Sequence, residues 1–332
     1  MIVDDEKKIG YILGSVDLCN STSIKSRFEN KTPQYKEELY KTYLQNLYNN
    51  ELTFYENLLS SYQTYSNSNE NILDRLYVLK NIGDEFWFCI EVDADNDLDL
   101  ANVTVALYDA VKAMRTSWLS ISNSLDSELW QDLGGTNLAS LNYKAFFDFV
   151  EYAVECSQTR YEYFTENIEK LCNNRTGKFS FEERCRLFNR LNICNVISDA
   201  SKQAVLRTDF IGYQVDCFFR YAKYAVNHMF AIGQRLAERV MENQKNDVCV
   251  LTCGDHTRMS SFHYFYWLSK AHKPKGLAYA YKIIYLIEEQ ALYDLREDIE
   301  AYSDAIQDNS DMELKHLVGI LQLISLKYKL IS

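Results

Sequence analysis

The sequence predicts an α+β chain in which long helices carry much of the length. Three observations lead there. First, the 332 residues hold 2 prolines and 11 glycines, where average usage would give roughly 16 and 23. Turn punctuation is scarce, which disfavours collagen-like, Gly/Pro-rich disordered and turn-rich sandwich classes. Second, DRLYVLKNI and EFWFCIEV flank a Gly83-Asp84 dipeptide, the strongest short signal for a β-hairpin. Third, after Pro33 the stretch YKEELYKTYLQNLYNNELTFYENLL repeats apolar and tyrosine positions every three or four residues, as an amphipathic helix requires.

The elements follow in order. IGYILGSVDL (Ile9 to Leu18) is β-branched and apolar, reads as a strand and ends in an acid. Helical text begins at Ser21 and resumes after Pro33. The polar run from Ser60 to Leu73 reads as a loop or frayed end. The hairpin covers Asp74 to Ile82 and Glu85 to Val92, and a helix covers Leu98 to Ser122. From about 125 to 200 the text is charged and mostly helical, and a strand within 175–207 has no clear signature. A turn at Gly212 opens a further helix. VCVLTC (Val248 to Cys253), FHYFYWLS and GLAYAYKIIYLIE read as strands, the last two joined by a KPKG turn. Residues 290–332 read as helices.

Composition bounds the partners. The net charge is −12, which argues against a general nucleic-acid or anionic-membrane surface. A small anionic ligand stays possible where metals or local cations neutralise it. Nine cysteines scattered through apolar runs do not form a disulfide framework. The N-terminus lacks a basic segment followed by an apolar core, and no apolar run reaches about 18 residues. The expectation is a cytoplasmic protein with no membrane and no nucleic-acid partner.

Two carboxylates stand out by position. Asp17 ends the first strand and Asp84 tips the hairpin. If those elements are neighbours, both acids lie at one end of the sheet and form an oxygen site suited to Mg²⁺ or Mn²⁺. Either acid alone has an ordinary explanation, since Asp favours turns and caps helices. Further on, Asp209, Asp216 and Arg220 are spaced by seven and four, which puts the last two on one helix face.

VDLCNST, KNIGDE and DFIGYQVDCFFR, in that order, resemble the class III nucleotidyl cyclase family. The likeness covers about 9–92 and 205–285. Its closest branch in character is the bacterial pyrimidine nucleotide cyclases of phage defence, which carry a divergent, Tyr-rich core and a tail. The resemblance implies a ferredoxin-like core, mainly an antiparallel sheet with flanking helices. A catalytic domain would span 1–289 with a helical insert at about 115–200, and a helical extension would span 290–332.

The resemblance also implies roles. Asp17, Leu18 and Asp84 would hold two Mn²⁺ or Mg²⁺ ions, in the two-metal arrangement for in-line displacement. Ser21, Thr22 and Ser23 would offer backbone N–H groups to the β- and γ-phosphates. Arg220 would stabilise charge on the α-phosphate, Asp216 would orient the substrate, and Lys275 would meet the triphosphate. Lys80 and Asp209 fall at the positions that read adenine in adenylyl cyclases. The protein would be a homodimer with shared sites, and its product would be read by a separate effector. Two positions depart from the family pattern: Asp216 replaces an Asn, and Asn20-Ser21 replaces Gly-Phe in the phosphate turn.

The implied reaction converts UTP or CTP to a 3′,5′-cyclic nucleotide and pyrophosphate. A carboxylate at Asp209 suits adenine N6 or cytosine N4, which keeps an adenylate cyclase as the first alternative. Bulky neighbours such as Tyr43, Tyr48, Phe86 or Phe210 would favour a smaller base, although each taken singly reads better as a core aromatic on a helix or strand face. A degenerate cyclase fold serving as a binding module is the second alternative. Cys249, Cys253 and His256 supply too few local ligands for zinc, and His228 and His263 sit in apolar text as packed residues.

Overall fold

A computed structural model describes residues 8–19, 21–124, 143–167, 180–198, 203–225, 230–242, 264–268, 273–277, 281 and 283–288. The chain opens with β1 (Ile9–Leu18), α1 (Ser21–Phe28), α2 (Pro33–Ser66), β2 (Leu76–Ile82), β3 (Glu85–Asp93), α3 (Asp97–Ser124) and β4 (Tyr143–Val150). These strands stand side by side as β4-β1-β3-β2, every neighbour antiparallel. That order, with helices in both crossovers, is the ferredoxin-like βαββαβ arrangement, as expected.

The chain continues through β5 (Val154–Glu155), α4 (Ser157–Asn167), α5 (Phe181–Arg190), β6 (Cys194–Ser198), β7 (Gln203–Leu206) and β8 (Phe210–Ile211). It then forms α6 (Tyr213–Tyr221), β9 (Phe230–Gly233), α7 (Gln234–Glu242), β10 (Tyr264–Leu268) and β11 (Ile283–Glu288). β9 joins β4 in parallel, and β11 and β10 extend the sheet to seven strands. β5 pairs with β8 and β6 with β7, in two small ribbons.

Alternating side chains build two cores. On one face Ile12, Val16, Phe86, Phe88 and Phe147 bury against α2 and α3. On the other, Leu13, Cys89 and Phe146 bury against Val215, Phe218 and Tyr221 of α6. β1 is tight against β3: a Cβ on Gly14 would lie 2.4 Å from the Phe88 ring.

Four expectations change. The segment 115–200 is not a helical insert, because it contains β4, which pairs directly with β1. In Tyr143–Val150 every side chain but Lys144 is buried, so the strand shows no alternation, and its closely spaced aromatics imitate a helical stripe. The other helices and the β6–β7 ribbon in that range form a satellite around Phe188, Ile193 and Cys194. Second, α2 runs through the polar stretch to Ser66 and ends at Asn67 in a left-handed cap, as its continued three-and-four spacing allows. Third, the helix read onward from Gly212 is interrupted by β9, whose four residues are all buried. Fourth, the strand sought within 175–207 is the β6–β7 pair, outside the main sheet. VCVLTC, the 290–332 extension, His228, His263, Cys249, Cys253 and His256 lie outside the described residues. Among the described residues no helix is long and apolar enough to cross a membrane.

One buried polar network was not foreseen. Asp148 of β4 is fully buried. It accepts hydrogen bonds from the Leu236 and Phe149 amides at 3.2 and 2.9 Å, from the Tyr281 hydroxyl, and from Arg235 at 3.3 Å. It thereby satisfies the start of α7, whose first amides have no partner within the helix.

Candidate functional site

The register of the central strands assembles the site. Asp17 stands opposite Glu85 on β3 and opposite Lys144 on β4. Glu85 follows Asp84 directly, so three carboxylates gather at one end of the sheet. Gly83 adopts φ +67°, the left-handed conformation that lets the hairpin turn so tightly.

Lysines answer these acids. Lys144 Nζ lies 2.8 Å from Asp17 Oδ2, and Lys25 Nζ of α1 lies 2.8 Å from Asp84 Oδ1. Ser15 donates to Glu85 at 2.8 Å, and the Trp87 indole N–H donates to the same carboxylate. Burial pushes the Asp17 carboxyl up from its ordinary value. Lys144 pulls it back, while Glu85 and Asp84 push it further. Burial opposes the charge on Lys144, yet its hydrogen bond and ion pair with Asp17 outweigh that and hold it charged. The ion pair is therefore made, but the cluster has more acid than it has local cation. Burial pushes the neighbouring Cys19 thiol up to about 11.

The donor set suits a hard divalent cation: two carboxylates with a third beside them, and the carbonyl of Leu18, whose own side chain is aliphatic and buried. Among the described residues no three His, Cys, Asp or Glu side chains converge closely enough to hold a metal as they stand. The lysines take up the oxygens instead.

α1 starts at Ser21, two residues beyond the turn at Cys19. Ser21 is buried and Thr22 exposed, and Ser23 lies in the same first turn. A cleft behind the hairpin tip is lined by Tyr48, Glu51, Asn81, Asp84, Glu85 and Tyr143.

The residues assigned to base and transition-state roles occupy the α6 face. Asp216 and Arg220 lie one turn apart and exposed on α6. Arg220 Nη1 donates to the Lys275 carbonyl at 2.7 Å, so the helix and the KPKG turn are joined. Phe219 packs against Trp87 with centroids 4.5 Å apart and the rings tilted by 30°, and Lys80 Nζ sits 5.9 Å from the centre of that indole. Asp209 stands apart from this group. Its amide is bonded to Ser157 Oγ at 2.9 Å and its carboxylate lies 3.6 Å from Arg160. Next to it, Phe210 packs on Tyr11.

Of the suggested base neighbours, Tyr43 and Phe86 lie in the core between the sheet and α2, and Tyr48 is exposed on α2. Sequence reasoning missed Lys25, Lys144, Glu85, Trp87 and Phe219. The first two are visible only once strand register and helix packing are known. Trp87 and Glu85 had a signal: they alternate with the core residues Phe86 and Phe88, so they had to face the other side.

No family model matches this chain, and no curated protein matches it. Among solved structures it is similar to the adenylyl cyclase CyaB from P. aeruginosa at 11% identity, covering 84% of this chain and 94% of that one, with a TM-score of 0.42. It is similar to the guanylate cyclase domain of RhGC from Catenaria anguillulae, in complex with GTP, at 9% identity, with coverage of 85% and 97% and a TM-score of 0.41. For the guanylyl cyclase Cya2 the values are 12%, 83%, 91% and 0.39. The strand order and the convergence of Asp17 with Asp84 stand independently of these superpositions.

Proposed function

We propose that the chain is a nucleotidyl cyclase that converts UTP or CTP to the 3′,5′-cyclic nucleotide and pyrophosphate. The observation that carries this reading is the β1–β3 register, which brings Asp17 beside Asp84 at the start of α1.

Asp17, Asp84 and the Leu18 carbonyl would hold two Mg²⁺ or Mn²⁺ ions. When bound, the ions supply positive charge that acidifies the ribose 3′-hydroxyl and steadies the triphosphate. The amides at Ser21, Thr22 and Ser23, at the start of α1, would bind the β- and γ-phosphates. The ribose 3′-oxygen forms its bond to the α-phosphorus as the bond to the bridging oxygen breaks, and the hydroxyl proton passes to solvent. Arg220 faces the charge that builds on the α-phosphate oxygens. The Lys275 carbonyl fixes its guanidinium, and the Lys275 ammonium adds charge for the leaving pyrophosphate. Asp216 orients the ribose.

The pyrimidine reading rests on the Trp87–Phe219 ring pair beside Lys80, whose bulk would narrow the space for a base. Asp209 lies apart from that group with its carboxylate near Arg160, so it gives no choice between CTP and UTP there. An adenylate cyclase is the reading favoured if that ring pair opens.

The site is shared between two copies, each giving its metal acids to the other's Arg220. Asp17→Ala and Arg220→Ala should each abolish turnover, and verified heterodimers of the two should regain part of it by forming one intact site. Heterodimers without activity would overturn the shared site. Incubation with each NTP and Mn²⁺, followed by mass spectrometry of the product, tests the reaction. Cyclic AMP alone would overturn the pyrimidine reading, and no cyclic product with any NTP would favour a binding module. A cytoplasmic antiphage signal read by a separate effector is the biological role that the family resemblance supports. It predicts product accumulation on infection.

A further inference from the structure

We propose that Lys25 is a built-in stand-in for a divalent cation at the hairpin tip, and that metal entry expels it and so loosens α1. The inference rests on the metal reading of Asp84 given above. Lys25 Nζ lies 2.8 Å from Asp84 Oδ1, and the carboxylate's side chain is only 10% exposed. The same ammonium lies 3.9 Å from where a Cβ would stand on Gly83, so it is seated against the turn itself.

One carboxylate oxygen cannot accept both this ammonium and a metal at short range, because the two cations repel and need the same space. Lys25 and a metal therefore compete. Lys25 sits one turn after Ser21 on α1. This ion pair ties the helix that offers its start to the phosphates to the loop that offers a metal ligand. Displacing Lys25 breaks that tie and frees a cation one turn from the helix start. The competition lowers metal affinity in the resting protein, and it couples metal at Asp84 to movement of α1.

The test uses the full chain without nucleotide. Mn²⁺ is titrated and the free ion read by electron paramagnetic resonance, for the wild type, Lys25→Met and Lys25→Arg. Removing this partner should tighten Mn²⁺ binding by about two- to fivefold in Lys25→Met, while Lys25→Arg stays near the wild type. In the wild type, acylation of the Lys25 amine should speed up when Mn²⁺ is added. Finite Mn²⁺ affinity that is unchanged in folded Lys25→Met, with Lys25 labelling insensitive to Mn²⁺, would overturn this inference and leave the metal reading intact. Absence of Mn²⁺ binding in all three proteins would overturn both.

Discussion

Asp17 and Lys144 face each other across adjacent antiparallel strands, with ammonium and carboxylate 2.8 Å apart. Lys144 belongs to the only position of β4 that is not buried. The pair ties the first core strand to the last at the proposed metal site.

Asp17→Asn keeps the shape and removes the charge. It should lower Mn²⁺-dependent cyclic product formation by at least about 100-fold, while the melting temperature stays within a few degrees of the wild type. Chelation by EDTA should abolish the wild-type reaction and added Mn²⁺ should restore it. A variant that keeps wild-type turnover would remove Asp17 from the mechanism.

Trp87 and Phe219 should set the size of the base accepted. Trp87→Ala and Phe219→Ala are expected to raise the ratio of purine to pyrimidine cyclic products, measured in a mixture of all four NTPs. Trp87→Phe should keep most of the selectivity. An unchanged ratio in folded Trp87→Ala would place base choice elsewhere.

Asp148 should matter for stability. Asp148→Ala strips the partner from the half-buried Arg235 and leaves the Leu236 amide without its acceptor. Losses of about 3–5 kcal/mol are usual when one member of a buried pair is removed. Burial pushes the Asp148 carboxyl above its ordinary 3.8, against Arg235, Tyr281 and two amides. Its own titration therefore stabilises the fold below pH 3.8, and that contribution is lost as pH rises through the raised value. The stability gap between wild type and Asp148→Asn should narrow as pH increases over that window, as read by urea denaturation. A gap that widens would mean Arg235 dominates the pair.

Gly233 is the steric counterpart of that network. A Cβ there would lie 2.2 Å from Asp148 Cγ. Gly233→Ala should cost roughly 1–3 kcal/mol through overpacking, and adding Asp148→Ala should cost less than the sum of the two single changes. Strict additivity in thermal unfolding would show that the methyl finds room elsewhere.

Local signals made part of this molecule readable. The hairpin was legible because Gly83-Asp84 lies between two apolar runs, and α2 because its stripe is long. The meeting of Asp17 and Asp84 was legible because one lies near the end of the first strand and the other at the hairpin tip. β4 was not, since burial on both faces erases the period of two. β9 was not, since four buried residues are too short to interrupt a helical pattern. Lys144 and Lys25 carry no local mark. Lys144 is placed by strand register and Lys25 by the packing of α1 on the hairpin turn, neither of which is local.

β1 lies in the middle of the core yet comes first in the chain. During synthesis IGYILGSV emerges long before its partners at residues 85–93 and 143–150 exist. For that interval it is an apolar, β-prone segment with both edges open, a form prone to wrong pairing. Folding must also close long loops before the sheet repays the lost entropy, which slows it. The arrangement that brings residue 17 to residue 144 thus leaves β1 without its full set of partners until β4 has left the ribosome.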